Sequence, residues 1–351
     1  MNHQTYMTRC LELALKGAGN VSPNPLVGCV IVAGDAIIGE GYHHAFGQAH
    51  AEVNAVRSVL EKFGEEQGNQ LLREATVYVN LEPCAHFGKT PPCADLLVRH
   101  GVKAVLIGNR DPFEAVNGKG IEKLQQAGIQ VQWGIEEGAC TWLNRRFFTR
   151  IRRQRPYIIL KWAQTANGLF APRDGAQRWI TGREAKRLVH QWRAEEDAVL
   201  VGKGTALADR PLLTVRETAG RNPVRILVDR QLGVPATNPI MNTEARTLIL
   251  NENKTDVEAN LHYIAMEDMQ FYLPQKIAYQ LYLMDIQSVI IEGGIQILNL
   301  FIEAGLWDEA RVFTGPQSWE AGLEAPHLQG RLLEQLEVGA DELNIYKNPS
   351  L

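Results

Sequence analysis

The sequence is short of several things, and each shortage excludes a class of protein. It has five cysteines in 351 residues, too few for a disulfide scaffold, and the odd number suits a reducing compartment. No run of about 18 apolar residues occurs, so no membrane span is expected. The opening residues, Met1 to Thr8, are polar and lack the apolar core of a secretion signal. Neither sign of charge dominates. The 36 Lys+Arg stand against 40 Asp+Glu, a net charge of -4, which does not favour a global polyanion binder. The pattern G-x-G-x-x-G is missing, so the Rossmann dinucleotide reading fails. There is no internal repeat and no low-complexity segment. Together these absences point to a cytoplasmic protein with neither a membrane nor a nucleic acid as partner.

What remains is an ordinary globular composition. The chain is 45% hydrophobic and 22% charged, which excludes disorder. At about 150 residues per domain the length suggests two domains or three, each able to bury a core.

The first half alternates strand and helix patterns. Met7, Cys10, Leu11 and Ala14 share one helical face. The run Val27 to Ala33, the turn Gly34-Asp35 and the stretch Ile37 to Gly41 read as a hairpin. Ala51 to Leu60 has a helical period, and Glu61 to Glu74 is either its extension or a loop. Strands are expected over Thr76 to Leu81, Val102 to Gly108 and Ile129 to Trp133, with helices over Ala94 to His100 and Ile121 to Ala127. That order implies a mixed sheet with helices on both faces. A basic stretch follows: Arg145, Arg146, Arg150, Arg152, Arg153 and Arg155, then Pro156. A solvated linker or helix end between domains is favoured over an RNA contact, since nothing basic flanks it. The second half restarts with strands Tyr157 to Trp162, Ala198 to Val201, Arg225 to Asp229, Thr247 to Leu250, Ser288 to Glu292 and Glu309 to Thr314. Helices are expected over Arg183 to Ala194, Leu273 to Met284 and Ile295 to Ala304, making another α/β sheet domain.

One constellation carries chemistry. His50-Ala51-Glu52 opens a predicted helix, Pro83-Cys84 follows a predicted strand, and Cys93 comes nine positions later. One imidazole and two thiolates leave the fourth corner of a tetrahedral zinc open, as catalysis requires. Zinc brings the pKa of water to about 7. Glu52, not itself a ligand, is placed to take the water proton and pass it to a departing nitrogen, the arrangement of zinc nucleobase deaminases. Those enzymes usually have two residues between the cysteines, whereas here Ala85 to Pro92 intervene. Cys10, Cys29 and Cys140 lie on apolar stretches or near a helix end and read as inert core thiols. Of His43 and His44, one is a candidate to touch substrate.

The stretches Pro23-Asn24-Pro25-Leu26-Val27-Gly28, His50-Ala51-Glu52 and Leu81 through Cys93 resemble the bifunctional riboflavin-biosynthesis deaminase–reductase family. The long loop between the cysteines separates that family from cytidine and tRNA-adenosine deaminases. The resemblance covers nearly the whole chain. It implies an α/β fold of two three-layer domains, an amino-terminal cytidine-deaminase-like zinc domain and a carboxy-terminal dihydrofolate-reductase-like domain. The expected boundaries are 1–145 for the deaminase, 146–155 for an Arg-rich linker and 156–351 for the reductase. It also implies that Asn24 holds the base while His86 and Lys89 line the substrate side of the zinc pocket. The family usually has D-P-N-P where this chain has Asp111-Pro112-Phe113-Glu114, so the polar third position is lost.

The carboxy-terminal half is similar to the family's reductase at Lys161 to Gly168, Trp179-Ile180-Thr181, Gly202-Lys203-Gly204-Thr205 with Asp209 and Pro211, and Glu292-Gly293-Gly294. Glycines that end a strand and open a helix let backbone amides approach a pyrophosphate. The implied reaction is reduction by NADPH of the ribosyl group to a ribityl chain, with Lys161 and Glu292 as the cation and proton donor. By the same resemblance Arg193 and Arg216 grip the substrate phosphate, and Gln177, Leu213 and Glu292 face the substrate. Ala163, Trp179, Thr205, Asp209 and the turn Gly294, Ile295, Gln296, Ile297, Leu298, Asn299 and Leu300 face NADPH. Departures from the family pattern fall at Thr165-Ala166-Asn167, Arg210 and Arg230. Arg230 either pairs with the 2′-phosphate of NADPH or is a surface arginine. The expected cofactors are one zinc ion and NADPH. The expected partners are a pyrimidine ribosylamine phosphate and further copies of the chain. Two other readings stand beside this one: a zinc deaminase of another base or of RNA with a degenerate reductase domain, and a binding module with structural zinc.

Overall fold

A computed structural model describes residues 2–85, 91–114, 116–173 and 178–350. The chain divides into two compact units, Met1–Arg153 and Gln154–Leu351.

Unit 1 runs α1 (His3–Leu15), β1 (Gly28–Ala33), β2 (Ala36–Tyr42), α2 (Ala51–Phe63), α3 (Glu65–Glu74), β3 (Thr76–Leu81), α4 (Cys93–His100), β4 (Ala104–Asn109), α5 (Lys119–Gln126), β5 (Gln130–Trp133), α6 (Glu137–Leu143) and α7 (Arg145–Arg153). Its sheet has the order β2-β1-β3-β4-β5. β1 pairs antiparallel with β2 and β3, while β3, β4 and β5 run parallel. The period of two in each strand divides the core. Cys29, Ile31, Val77, Val79, Val105 and Ile107 pack under α2, α4 and α5. Val30, Val32, Tyr78 and Leu106 pack under α1 with Met7, Cys10 and Leu13. Each such fully buried Val, Leu or Ile contributes about 1.5–3 kcal/mol, so both faces are closed and the layers number three. The polar stretch after α2 is a second helix. Gly64 breaks the first at φ +77, a conformation open to glycine.

The Arg-rich stretch, expected to be solvated, forms α7, which buries Phe147 and Phe148. Arg152 and Arg153 at the end of that helix are exposed as expected, but Arg155 is not. It is 7% exposed and paired through both nitrogens with Asp308 at 2.5 and 2.8 Å.

Unit 2 runs β6 (Tyr157–Gln164), β7 (Leu169–Ala171), α8 (Arg183–Glu195), β8 (Ala198–Gly202), α9 (Lys203–Asp209), β9 (Val224–Val228), β10 (Thr247–Asn251), β11 (Asp256–Glu258), β12 (Leu261–Ala265), α10 (Leu273–Leu283), β13 (Ser288–Ile291), α11 (Ile295–Glu303), β14 (Glu309–Thr314), β15 (Leu323–Glu324), β16 (Arg331–Val338) and β17 (Asp341–Lys347). Its main sheet has the order β11-β12-β10-β9-β8-β13-β6-β14-β17-β16. The strands from β12 to β14 in that order are parallel. One face packs Ile158, Leu160, Leu200, Ile226 and Leu248 against α10 and α11. The other packs Ile159, Val199, Leu227 and Ile249 against α8 and α9. Parallel strands place their carboxy ends on one edge, where β8, β9 and β13 open toward helices.

Candidate active sites

The amino-terminal site is assembled by two helix starts and one strand exit. His50 is the N-cap of α2, and Glu52 lies in the first turn of that helix, 3% exposed. The helix can seat so closely because β2 offers glycines. A Cβ on Gly41 would stand 2.3 Å from the Ala55 nitrogen and 2.5 Å from the Ala51 oxygen. Cys84 follows β3, and Cys93 is the first residue of α4. The Cys93 backbone N–H donates to Cys84 Sγ at 3.3 Å, as a helix start does for an anion.

His50 Nδ1 lies 3.7 Å from Cys84 Sγ and 3.4 Å from Cys93 Sγ. The three donor atoms are all within 4.8 Å of one another. Zn–S bonds near 2.3 Å and Zn–N bonds near 2.0–2.1 Å give N···S edges of about 3.6 Å in a tetrahedron, so the donor set fits zinc. Among the described residues no fourth His, Cys, Asp or Glu joins the group. Hydrogen bonds from Cys93 and His50 draw the Cys84 thiol down, while the neighbouring Cys84 sulfur and burial push Cys93 up. A dication among them displaces the thiol protons. Burial raises the Glu52 carboxyl above its usual range, with the Cys84 charge adding to it.

A cavity of about 360 Å³ opens beside this cluster. Asn24, His43, Phe46, Glu52, Asp111 and Phe113 are among its lining residues, with Phe147, Arg150 and Ile151 from α7. Asn24 is oriented by a relay. His43 Nδ1 donates to the Ala49 carbonyl at 3.1 Å, which leaves Nε2 to accept from the Asn24 amide at 3.1 Å. The Asn24 oxygen is thereby presented as an acceptor. Burial lowers the His43 pKa, keeping the ring neutral. His43 is thus the histidine that faces the cavity; His44 is exposed and lies against Tyr42, ring centroids 4.1 Å apart and tilted by 40°. The segment that carries Asn24 is pinned by Asn80 and Asn144, which both hydrogen-bond the backbone of Leu26, and Asn80 also that of Gly28. Sequence reasoning missed both asparagines and also Asp111, whose carboxyl burial pushes up to about 7. His86, Lys89 and Gln177 lie outside the described residues. The Cys10 and Cys29 thiols are buried and pushed well up, as inert core thiols should be.

In unit 2 the structure brings Lys161, Arg193 and Glu292 together. Arg193 grips Glu292 bidentately, Nε to Oε1 at 2.7 Å and Nη2 to Oε2 at 2.6 Å, with 11% and 8% of the side chains exposed. Burial lowers the Lys161 pKa, opposed by Glu292. Burial would raise the Glu292 carboxyl, but Arg193 outweighs it and holds it low. Beside them the Arg216 backbone N–H donates to His190 Nδ1 at 3.0 Å, and the Arg216 guanidinium to Thr214 Oγ1 at 2.7 Å. Leu213 does not face outward. It is 2% exposed in the core, at a left-handed φ of +55.

At the strand exits, Gly294 has φ +52, and a Cβ there would meet Thr205 Oγ1 at 3.2 Å. A Cβ on Gly202 would meet Ile297 at 2.9 Å. The two glycine-bearing exits are therefore neighbours, an arrangement that fits a pyrophosphate. Ala163 is half-buried on β6, Trp179 is 70% exposed, and Asp209 ends α9 in solvent. Of the turn from Gly294, Ile297 and Leu298 turn into the core at 9% and 0% exposure, whereas Gln296 and Leu300 are exposed and Ile295 and Asn299 half-buried. Arg230 pairs with Glu252 at 3.3 Å and is 44% exposed. Thr165 and Asn167 bind each other at 2.8 Å, and Asn167 also reaches the Trp319 carbonyl, so two of the departures from the family pattern build one turn.

Comparison with known proteins agrees with this geometry. Residues 1–109 match the cytidine and deoxycytidylate deaminase zinc-binding region, and residues 156–318 match the RibD C-terminal domain. The chain is 39% identical over 336 residues to the riboflavin biosynthesis protein RibD of Aquifex aeolicus, covering 95% of this chain and 92% of that one. It is 36% identical over 333 residues to RibD of Escherichia coli K12, covering 90% and 88%. A solved structure from Thermotoga maritima, a diaminohydroxyphosphoribosylaminopyrimidine deaminase/5-amino-6-(5-phosphoribosylamino)uracil reductase, superposes with a TM-score of 0.90 at 35% identity, covering 99% and 98%.

Proposed function

Since this chain belongs to the RibD family of riboflavin biosynthesis, a deaminase and a reductase in one polypeptide, we propose how its residues divide the two reactions. Unit 1 hydrolyses the 2-amino group of the diaminopyrimidinone ribosylamine 5′-phosphate. Unit 2 then reduces the ribosyl group to a ribityl chain. The observation that carries the reading is the His50, Cys84 and Cys93 donor set at tetrahedral edges.

His50, Cys84 and Cys93 would hold a zinc ion, which would supply the Lewis acidity that makes water a nucleophile at neutral pH. Glu52 is placed to accept a proton from the attacking water and to return it to the departing nitrogen as ammonia leaves. Its burial and raised pKa suit a carboxyl that must both accept and donate. Asn24 holds the base through its oxygen, fixed by His43. His86 and Lys89 complete the substrate side.

In unit 2 a bound NADPH would supply the hydride that reduces C1′ of the opened sugar. Lys161 steadies the charge at the reacting oxygen and is the proton donor there, while Glu292, held ionised by Arg193, orients Lys161 rather than donating as expected. Two of the Arg193 donors are taken by Glu292, so in this reading the phosphate falls mainly to exposed Arg216, while Gln177 completes the substrate side. Gly294, Thr205, Trp179 and Asp209 take the cofactor, with Ala163 on the strand beside them. Arg230 releases Glu252 to meet the 2′-phosphate.

The division at Arg153 and Gln154 supports an amino-terminal deaminase and a carboxy-terminal reductase, with the boundary falling inside the Arg-rich stretch. Self-association of the chain is supported by β16, which ends the ten-stranded sheet and exposes Leu332, Leu333 and Leu336. We place the protein in the cytoplasm. No helix among the described residues is long and apolar enough to cross a membrane. The test is incubation with the diaminopyrimidine substrate with and without NADPH. Ammonia release is expected in both, and NADPH oxidation only where the deaminated intermediate has formed. Absence of ammonia from the zinc-loaded protein would refute the reading.

A further inference from the structure

Glu82 is buried, 4% exposed, between β3 and the zinc ligand Cys84. No step of deamination uses it. Yet its carboxylate accepts four backbone N–H groups from one distant segment. Oε2 takes Asp111 at 3.2 Å and Gly118 at 3.0 Å. Oε1 takes Gly120 at 3.0 Å and Ile121 at 3.3 Å. The Glu82 backbone N–H adds a fifth bond, to the Asn109 carbonyl at 2.8 Å. The segment so held carries Asp111, Phe113 and Val116, which line the cavity. It also sits close: a Cβ on Gly120 would stand 2.1 Å from the Pro83 oxygen. Thus one side chain ties the wall that faces the substrate to the strand exit that carries a zinc ligand.

We propose that Glu82 is a positioning residue of the deaminase, which sets the substrate wall formed by Asp111, Phe113 and Val116 relative to Cys84. The physical argument is one of satisfaction. Four amide donors converge on two oxygens that only accept. Charge-assisted bonds to backbone N–H are about twice as strong as neutral ones. A glutamine at this position points an NH2 donor at one of the two pairs of amides, so half the wall loses its hold. The zinc ligands do not depend on that hold. Cys84 and Cys93 are joined to each other through the Cys93 N–H and through the Ala94 N–H to the Cys84 carbonyl at 3.1 Å. A wall displaced by about 1 Å costs up to roughly 100-fold in kcat/KM.

The proposal rests on the cavity being the deaminase substrate site, and wild-type turnover tests that separately. In Glu82→Gln the KM for deamination is expected to rise roughly tenfold. The kcat, zinc content and NADPH-dependent reduction of the deaminated intermediate stay near wild type. Amide hydrogen exchange at Gly118 and Gly120 should quicken, while that of Cys93 does not. Gly118→Ala approaches the same link from the other side. Gly118 has φ +91, strained for alanine, so KM is again expected to rise with zinc retained. An unchanged KM in both variants overturns the proposal. So does loss of zinc and kcat together in Glu82→Gln, which would make Glu82 a support for the ligand alone. If wild type itself releases no ammonia, the underlying reading fails instead.

Discussion

Replacing Arg193 by Met tests the reductase site through its electrostatics. Glu292 is gripped at 2.6 and 2.7 Å, and both side chains are about nine-tenths buried. Removing one member of such a pair leaves an uncompensated buried charge, at a cost of about 3–5 kcal/mol. Lys161 still faces Glu292 and offsets part of this, so the lower end, about 3 kcal/mol, is expected. For a unit of nearly 200 residues that is a fall in melting temperature of about 10 °C. The double variant Arg193→Met with Glu292→Met replaces the pair by apolar groups and should recover at least half the loss, although both variants lose reduction. The sign with pH follows from Glu292, whose folded pKa lies below its unfolded value. The stabilisation is full above the ordinary carboxylate range and disappears as pH falls through the depressed value. The gap between wild type and Arg193→Met should therefore close in acid. Differential scanning calorimetry of the reductase transition, with NADPH oxidation alongside, provides the readout. A single variant as stable as wild type, or a double variant less stable than the single one, would show that the pair does not act as a buried ion pair.

Glu52→Gln should abolish ammonia release while metal analysis still finds zinc and the deaminated intermediate is still reduced; loss of both activities would contradict independent sites. His190 is held neutral, its pKa lowered to about 4 first by burial and then by Arg193 and Arg216. Its contribution to stability is full above its ordinary pKa of 6.5 and is lost as pH falls toward 4, so calorimetry of His190→Asn between those values should show a flatter acid dependence than wild type. Arg230→Ala should weaken NADPH much more than NADH in a binding titration. Equal weakening would leave Arg230 as the surface partner of Glu252.

Much of this architecture is written locally. Strands such as Thr76–Leu81 and Ala198–Gly202 are legible because nearly all their residues are buried and apolar runs of that length have few other uses. The hairpin of β16 and β17 is not legible. Arg331–Val338 is exposed along almost its whole length, so its leucines follow no strand period, and its pairing is set by β17. The zinc set is legible because each ligand sits in a short motif whose residue types only metal chemistry explains. The Arg193–Glu292 pair spans 99 positions, and no local pattern reveals it. Within the stretch Gly294 through Leu300, expected to face the cofactor, the side chains of Ile297 and Leu298 turn inward because a helix on a sheet must bury one face. Glu82 and Asn144 act through backbone amides, which carry no sequence identity of their own.

The bare edge of β2 has a consequence for drift in this chain. With no side chain at Gly41, the distance between the imidazole half of the centre and its sulfur half is gauged by the thickness of a peptide backbone. Even one added methyl group there would lift His50 and Glu52 together, like a shim under a hinge. A position with no reactive atoms is thus as intolerant of change as the residues that perform the reaction.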